Sequence, residues 1–312
     1  MDSDCFLTFW GVRGSIPSPG VNTIGFGGNT PCVSIECSCH QDNIIIFDAG
    51  SGIRSLGKHL MQRKDPHTIN GSIFLTHTHW DHIQGLPFFI PAFLKENQFS
   101  IYGEGKPNYS LPKLIKEQIQ APFFPVDINT LFQAKLDFNE ISEDEAIELE
   151  KNIRVTPFRL VHPNAALGYL LQISGHSIAY VTDHEHEMYH PSPAILDTVA
   201  GVDVLIHDAQ YSREELVNGK QGWGHSAWED VVELAANAQV KQLFLFHHDP
   251  DATDAQLNER QFQAQQIFPN TFVAREGMKI PLATGTCEKH GQSYLAKHLP
   301  LSKQDPGRSV QA

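Results

Sequence analysis

The 312-residue chain is short of cysteine and of positive charge. Five cysteines, an odd number, argue against a disulfide framework and favour a reducing compartment. Its 23 basic and 36 acidic residues give a net charge of −13, which disfavours a broad grip on nucleic acid or on an anionic membrane. We see neither an apolar run of about 18 residues nor a basic-then-apolar leader, so we expect a cytoplasmic protein without membrane contact.

Strand-like and helical patterns mix along the whole chain. Strands are predicted at residues 6–10, 32–37, 44–47, 73–76, 153–161, 178–182, 202–206 and 243–246. Helices are predicted at residues 53–61, 111–119, 227–238 and 254–267. Ser226 and Glu229 form a capping-box pattern, so we expect the third helix to begin directly after His225. The mixture predicts a layered α/β domain.

The organisation of the chain predicts one main domain, residues 1–283. Within it, residues 86–150 are interpreted as an insertion that covers the site. Residues 284–312 are polar and lack periodicity, which predicts a mobile tail. The pattern leaves the oligomeric state open, and a homo-oligomer is compatible with it.

Histidine is abundant, with 17 residues in clusters. The densest cluster, His77, His79, Asp81 and His82, directly follows a strand-like run. A tight loop can turn these side chains into one cavity, where imidazole and carboxylate suit zinc or a similar divalent ion. One tetrahedral ion cannot comfortably take all four, so two adjacent ions are the better interpretation.

Three further candidate ligands, His162, Asp183 and His247, each stand just past a strand-like run. Strand ends on one edge of a sheet converge, so these residues can meet the histidine loop. Singly, each could be a core histidine or a turn aspartate. Together they complete the ligand count for two ions.

The H-x-H-x-D-H loop resembles the signature of the metallo-β-lactamase-fold hydrolases. Residues 10–17, 27–30, 47–52 and 224–226 resemble the bacterial cyclic-nucleotide phosphodiesterase-like branch, which is related to the tRNA 3′-end-processing endonucleases. The resemblance covers roughly residues 5–281. It implies a four-layer αββα sandwich, of the α+β or α/β class, with two mixed sheets, helices outside and metals at one edge.

The resemblance also implies a ligand set. His77, His79 and His162 would hold one ion, Asp81, His82 and His247 the other, and Asp183 would bridge them. We expect zinc, with manganese as the alternative, because both tolerate histidine and carboxylate mixtures. Asp48 is expected to orient the metal loop without binding metal.

Two such cations would bind a phosphodiester and convert a bound water to hydroxide. The protein must then supply an acid that protonates the departing alkoxide. His225, between glycine-rich turns and a helix start, is the candidate acid. Asp208 resembles the acidic residue that pairs with that histidine in the tRNA-processing relatives. With Asp81, these are the predicted catalytic residues.

We therefore predict a metal-dependent phosphodiesterase acting on a small cyclic nucleotide. Residues 86–150 hold eleven acidic residues and five lysines, an unfavourable rim for long nucleic acid. Substrate contacts are expected from Arg13, Asn29 and Thr30, and a base could be covered by Trp10, Phe88 or Phe89.

Three alternatives stay open: hydrolysis of a thioester, lactone or β-lactam, an RNA 3′-end nuclease, and a non-catalytic ligand sensor. A carbonyl substrate with a good leaving group needs no acid pair such as His225 and Asp208. The intact ligand positions disfavour a sensor. Histidine at position 79, where di-iron relatives have glutamate, disfavours redox chemistry.

Other histidines and cysteines receive structural interpretations. We expect His184, His186 and His190 at the surface or rim, and His248 to point away from the site. Cys37 and Cys39 are expected to pack without a metal.

Overall fold

The structure, a computed structural model, describes residues 5–38, 43–63, 68–150, 152–186 and 192–282. These residues form two seven-stranded sheets. The first sheet contains β1 (Cys5–Gly11), β2 (Cys32–Cys37), β3 (Asn43–Phe47), β4 (Asn70–Phe74), β5 (Gln98–Gly103), β6 (Lys135–Glu140) and β14 (Lys279–Leu282). The second contains β7 (Ile147–Glu150), β8 (Ile153–Leu160), β9 (Ala166–Ile173), β10 (His176–Val181), β11 (Val204–Asp208), β12 (Gln242–Phe246) and β13 (Thr271–Val273).

Both sheets are mixed. In the first, the order is β14-β1-β2-β3-β4-β5-β6, antiparallel as far as β3 and parallel from β3 to β6. In the second, the order is β13-β12-β11-β10-β9-β8-β7, with β10 to β13 parallel and β7 to β10 antiparallel. Parallel neighbours end at the same edge of a sheet, so residues that follow β3 and β4, or β10, β11 and β12, are brought together.

Eight α-helices accompany the sheets in the described residues. They are α1 (Ile53–Met61), α2 (Trp80–Ile83), α3 (Leu111–Glu117), α4 (Ile128–Leu131), α5 (Pro193–Val199), α6 (Arg213–Glu215), α7 (Trp228–Asn237) and α8 (Asp254–Ile267). α1 packs its apolar side on one face of the first sheet, and α5, α7 and α8 pack on one face of the second. The predicted layering, two mixed sheets with helices outside, is confirmed.

Alternation along β3 explains the layers. Ile45 and Phe47 point into the core between the two sheets, whereas Ile44 and Ile46 point to the outer face, towards α1. A strand buried on both faces needs apolar residues at every position, which is why this run is continuously hydrophobic. Phe47 lies fully buried between Tyr169 and Tyr180, with ring centroids 5.6 and 5.1 Å away.

The boundaries of several predicted elements differ from the structure. α7 begins at Trp228, and its N-cap is Ala227, so the capping box predicted at Ser226 is wrong. The hydroxyl of Ser226 donates instead to the main-chain oxygen of His184, a partner distant in sequence. Reciprocal capping boxes occur at Ser212 and Thr253. The strands β5, β6, β7, β9, β13 and β14 have no predicted counterpart.

Residues 86–150 are more than a covering segment. They supply β5 and β6 to the first sheet and β7 to the second. The residues before β5, the part between β5 and β6 that contains α3 and α4, and the residues between β6 and β7 lie outside the sheets. The predicted tail, residues 284–312, lies outside the described residues.

Cys5 and Cys37 face each other across β1 and β2 and form a disulfide, so the expectation of cysteines that only pack is corrected for Cys37. Cys32 is buried and free. Cys39 lies outside the described residues. Among the helices that the structure describes, we find none long and apolar enough to cross a membrane.

We expect Phe47→Ala to lower the free energy of unfolding by about 3–5 kcal/mol, because it leaves a cavity between two tyrosine rings. Urea denaturation measures the change. Phe262→Ala on α8, where the ring is 62% exposed, is the matched control and should change stability by less than about 0.5 kcal/mol. Equal effects of the two changes would contradict the assigned core.

Candidate metal centre

The H-x-H-x-D-H motif lies at the carboxyl end of β4. His77 and His79 are in the loop after the strand, and Asp81 and His82 are in the single turn of α2. A loop followed at once by a helical turn points all four side chains towards one place. Asp81 and His82 are buried, and His79 is half-buried.

The second sheet supplies the other candidates. His162 follows β8, Asp183 follows β10 and His247 follows β12. Asp183 and His247 have left-handed backbones, with φ of 56° and 58°. Such conformations cost energy in residues other than glycine and cluster at functional sites. Here they turn the chain sharply at the strand end, towards the loop after β4.

The structure brings all seven predicted ligands together in two adjacent donor sets. The first contains His77, His79 and His162, whose ligand atoms lie within 4.8 Å of one another. Nδ1 of His79 is 3.1 Å from Nε2 of His162. The second contains Asp81, His82, Asp183 and His247, also within 4.8 Å. Nε2 of His247 is 3.2 Å from Oδ2 of Asp81.

The carboxylate of Asp183 faces both sets. Its Oδ1 lies 3.8 Å from Nε2 of His77 and 3.7 Å from Nε2 of His162. Its Oδ2 lies 3.1 Å from Nε2 of His82 and 3.2 Å from Nε2 of His247. Each set therefore receives one oxygen, the arrangement that a bridging ligand requires.

Hydrogen bonds at Nδ1 orient two of the imidazoles. His82 donates to Oδ2 of Asp48 (2.8 Å), and His162 donates to the main-chain oxygen of Gly224 (2.9 Å). With the proton on Nδ1, the lone pair of Nε2 faces the cluster. Asp48 also accepts from the main-chain nitrogen of Thr76 (2.9 Å) and from the hydroxyl of Tyr180 (3.0 Å), so it holds the metal loop as predicted.

Gly224 must be glycine for this contact. Its φ is +89°, in the left-handed region. A Cβ there would lie 2.1 Å from Nδ1 of His162. A side chain at position 224 would therefore displace His162 from the cluster.

The donor set fits divalent cations. Nε2 of His77 is buried and has no hydrogen-bond partner among the described residues. Burial, together with neighbouring imidazoles, lowers the pKa of His77 and His79, which favours neutral rings. At His82 burial is outweighed by Asp183 and Asp81, which raise its pKa, and a bound cation would displace that proton. The pKa of Asp183 is held well below its usual value because burial is outweighed by His247 and His82. Neutral imidazoles and ionised carboxylates are the forms that bind cations.

A second pair lies beside the cluster. Nδ1 of His225 donates to Oδ2 of Asp208 (2.8 Å), and a ring nitrogen of His225 lies within 4.8 Å of ligand atoms of His162 and Asp183. Burial opposes the imidazolium, but Asp208 outweighs it and raises the pKa of His225 to about 9. The predicted acid and its carboxylate are thus in contact.

The side chains of Arg13, Asn29 and Thr30, the expected substrate contacts, have hydrogen-bond partners within the protein. Arg13 is fully buried, and its guanidinium donates to the main-chain oxygens of residues 27, 249 and 252. The Asn29 amide donates to Glu276, and the Thr30 hydroxyl accepts from the main-chain nitrogen of Ser51. The three side chains hold loops together.

The aromatic residues beside the site also differ from the prediction. Trp10 donates to Ser34 and packs on His59, and Phe89 is fully buried. Phe88 is 51% exposed. Trp80 and Trp223, which the prediction missed, are exposed and directly adjoin His79 and Gly224 in the chain.

The expected rim positions of His184 and His186 are wrong. Both are buried, and Nδ1 of His184 accepts from the main-chain nitrogen of Val161. Their rings pack on His207, so their location reflects contacts between distant strands. His248 is also buried and donates to the main-chain oxygen of Ala274, away from the cluster. His190 lies outside the described residues.

Two residues at the site were not predicted individually. The main-chain nitrogen of Ser15 donates to Oδ2 of Asp81 (2.8 Å). The amide oxygen of Gln210 accepts from Nδ1 of His247 (2.9 Å). A main-chain donor has no residue type, and one glutamine has no characteristic spacing. Only the neighbouring motif residues 10–17 and Asp208 could have drawn attention to them.

The sandwich, with a histidine and aspartate cluster at its edge, defines a metal-dependent hydrolase. The model of the beta-lactamase superfamily domain matches residues 43–248, and the chain belongs to that superfamily. The metallo-β-lactamase fold expected from the resemblance is thus confirmed.

The chain is also similar to individual proteins over nearly its whole length. Ribonuclease Z of Picrophilus torridus is 26% identical in an alignment that covers 90% of this chain and 96% of that protein. Among solved structures, a diphosphatase of the PhnP family has a TM-score of 0.65 at 19% identity and covers 91% of this chain and 100% of its own. Human tRNase Z, short form, has a TM-score of 0.63 at 20% identity, with coverage of 89% and 100%. The two structures show a shared fold.

Asp183→Ala should lower the occupancy of both donor sets, because a bridging carboxylate offsets the repulsion between two close dications. Elemental analysis after dialysis at a fixed free zinc concentration measures the bound ions. Asp203→Ala, which removes a carboxylate paired with Lys241 away from the cluster, should leave the occupancy unchanged. Undiminished binding in Asp183→Ala would contradict the bridging role.

Proposed function

We propose that the chain is a phosphodiesterase with two divalent metal ions, zinc or manganese, and with His225 as the general acid. His77, His79 and His162 would hold one ion and Asp81, His82 and His247 the other, with Asp183 shared. The single observation that carries the proposal is the 2.8 Å contact between His225 and Asp208 beside the cluster.

Bound divalent ions would supply Lewis acidity to a phosphoryl oxygen and would lower the pKa of a water. The chain must then protonate the leaving oxygen. Because Nδ1 of His225 is held by Asp208, the proton on Nε2 is the one available for transfer. Asp208 also accepts from the main-chain nitrogen of Gln210 (3.0 Å), which fixes the carboxylate.

This pair favours phosphodiesters over thioesters, one of the carbonyl alternatives. An alkoxide leaving from phosphorus is strongly basic and needs a proton, whereas a thiolate leaves without one. A buried, carboxylate-paired imidazolium is costly to maintain at a site that has no use for it. Thioester hydrolysis is therefore less well supported than phosphodiester hydrolysis.

His225→Ala should keep its metal ions and lose about 10²–10⁴-fold in turnover of substrates with an alkoxide leaving group. The loss should be smaller for bis-p-nitrophenyl phosphate, whose phenolate departs without protonation. Steady-state rates and elemental analysis on one preparation measure both.

His176→Ala is the control, because His176 is a buried histidine at the other end of β10 from Asp183. It should leave both rates unchanged. Loss of metal in His225→Ala, or equal losses on both substrates, would make His225 a ligand or a scaffold residue.

For the substrate, the curated relatives support RNA. These relatives are named ribonucleases, and the similarity covers nearly their whole length. Both facts support an RNA 3′-end nuclease over a phosphodiesterase for small cyclic nucleotides. The exposed rings of Trp80 and Trp223, next to His79 and Gly224, would offer stacking surfaces to unpaired bases.

A small cyclic nucleotide is the second candidate, supported by the pairing of cations near His162. Lys106 lies against the main-chain oxygen of Ala165 (3.0 Å) and is paired with Glu104. Arg159 is paired with Glu104 and Glu143. Cations neutralised in this way contribute little to a grip on a polyanion.

We expect cleavage of a 3′-extended precursor tRNA with only a weak salt dependence between about 50 and 200 mM, because the chain has a net charge of −13 and Lys106 and Arg159 are paired with carboxylates. Cleavage is followed on gels beside hydrolysis of 3′,5′-cyclic AMP and GMP, with Asp183→Ala as the inactive control for contaminating nuclease. Faster hydrolysis of the cyclic nucleotides, with intact tRNA, would promote the second candidate.

A further inference from the structure

The side chain of Gln210 is buried between His247 and the loop that follows β1. It is 2% exposed. Its Oε1 accepts from Nδ1 of His247 (2.9 Å), and its Nε2 donates to the hydroxyl of Tyr211 (3.1 Å) and lies 3.4 Å from Oγ of Ser15. The amide therefore has a defined orientation, with its oxygen committed to His247.

The same contacts reach a second ligand of the same donor set. The main-chain nitrogen of Ser15 donates to Oδ2 of Asp81 (2.8 Å), and Oδ2 of Asp81 is 3.2 Å from Nε2 of His247. Ser15 has a left-handed backbone, with φ of 63°, which turns its N–H towards the cluster. Gln210 and Ser15 together fix the positions of His247 and Asp81 relative to each other.

Gly14 makes this close approach possible. A Cβ at Gly14 would lie 2.5 Å from Nδ1 of His247 and 2.8 Å from Oε1 of Gln210. The loop is tied to the segment after β12, since Gly14 donates to the main-chain oxygen of His248 (2.9 Å) and His248 donates to that of Val12 (2.9 Å). The buried guanidinium of Arg13 closes the same junction.

We propose that Gln210 is a positioning residue that keeps a proton on Nδ1 of His247, which leaves Nε2 to bind the ion that Asp81 and Asp183 would also hold. The tautomer of a ligand histidine is set by the hydrogen bond at its other nitrogen. The inference rests on the proposed metal centre and gives the motif at residues 10–17 a role in metal binding in place of a phosphate grip.

Gln210→Met removes the acceptor and keeps most of the side-chain volume. We expect the ion at Asp81, His82 and His247 to bind about 10–100-fold more weakly, while the ion at His77, His79 and His162 is retained. Elemental analysis across a series of zinc buffers measures the number of ions per chain. In Gln210→Met that number should fall from two to one at free zinc concentrations about 10–100-fold higher than in the unchanged protein. Gln210→Glu keeps an acceptor and should restore the second ion.

Gln84→Met is the matched control, because Gln84 bonds the Thr30 hydroxyl beside the metal loop and touches no ligand imidazole. It should bind zinc as the unchanged protein does. Equal weakening in both methionine variants would assign the effect to loop packing and overturn the proposal.

The tautomer is read directly in metal-free protein by long-range ¹H–¹⁵N correlation of histidine-labelled chain. In metal-free protein, Nε2 of His247 lies 3.2 Å from carboxylate oxygens of Asp81 and Asp183 and can carry a proton of its own. We therefore expect a proton on Nδ1 of His247 in the unchanged protein, with or without one on Nε2, and its loss in Gln210→Met. A His247 that is protonated on Nε2 alone in the unchanged protein overturns the proposal even if the variant fails to fold. Neither readout needs turnover, so a missing phosphodiesterase activity would be a separate failure.

Discussion

The carboxylate of Asp183 between the two donor sets is the contact on which the site depends. Two divalent ions a few ångströms apart repel each other strongly, and a shared anion lowers that cost. Oδ1 and Oδ2 face different sets at similar distances. The left-handed turn at the end of β10 puts the carboxylate there, so a local backbone cost contributes to the geometry of the whole centre.

Asp48 connects that centre to the core. It follows β3 of the first sheet, orients His82 and the loop after β4, and accepts from Tyr180 of the second sheet. Tyr180 stacks on Phe47, the residue before Asp48. A buried carboxylate with four donors is well satisfied, and its removal would leave the imidazole and the phenol without an acceptor.

The sequence predicted much of the site because its chemistry is concentrated in short motifs at strand ends. His77, His79, Asp81 and His82 carry their spacing with them, and His162, Asp183 and His247 follow recognisable strands. The burial of Arg13 could not be predicted, because a cation between glycines is also compatible with a substrate contact. Its partners, the main-chain oxygens of residues 249 and 252, are brought to it only by the fold.

Strands that form because of tertiary contacts could not be predicted from local sequence either. The edge strands β6, β7 and β13 are short or partly polar, so their pairing partners define them more than their own residues do. At Ser226, by contrast, a local pattern is present but the predicted structure does not form. Its local pattern is a capping box, but the main-chain oxygen of His184 competes for its hydroxyl and the helix starts later. A local capping pattern does not form when the same side chain makes a hydrogen bond with a residue distant in sequence.

Each donor set draws on both sheets: the loop after β4 belongs to the first sheet, whereas His162, Asp183 and His247 belong to the second. An ion held by both would act as a non-covalent cross-link at the open edge of the sandwich. A ligand that binds only the folded state adds about 2.7 kcal/mol of stability at a hundredfold excess over its Kd. The resistance of the two layers to separation would then follow the free metal concentration around the protein.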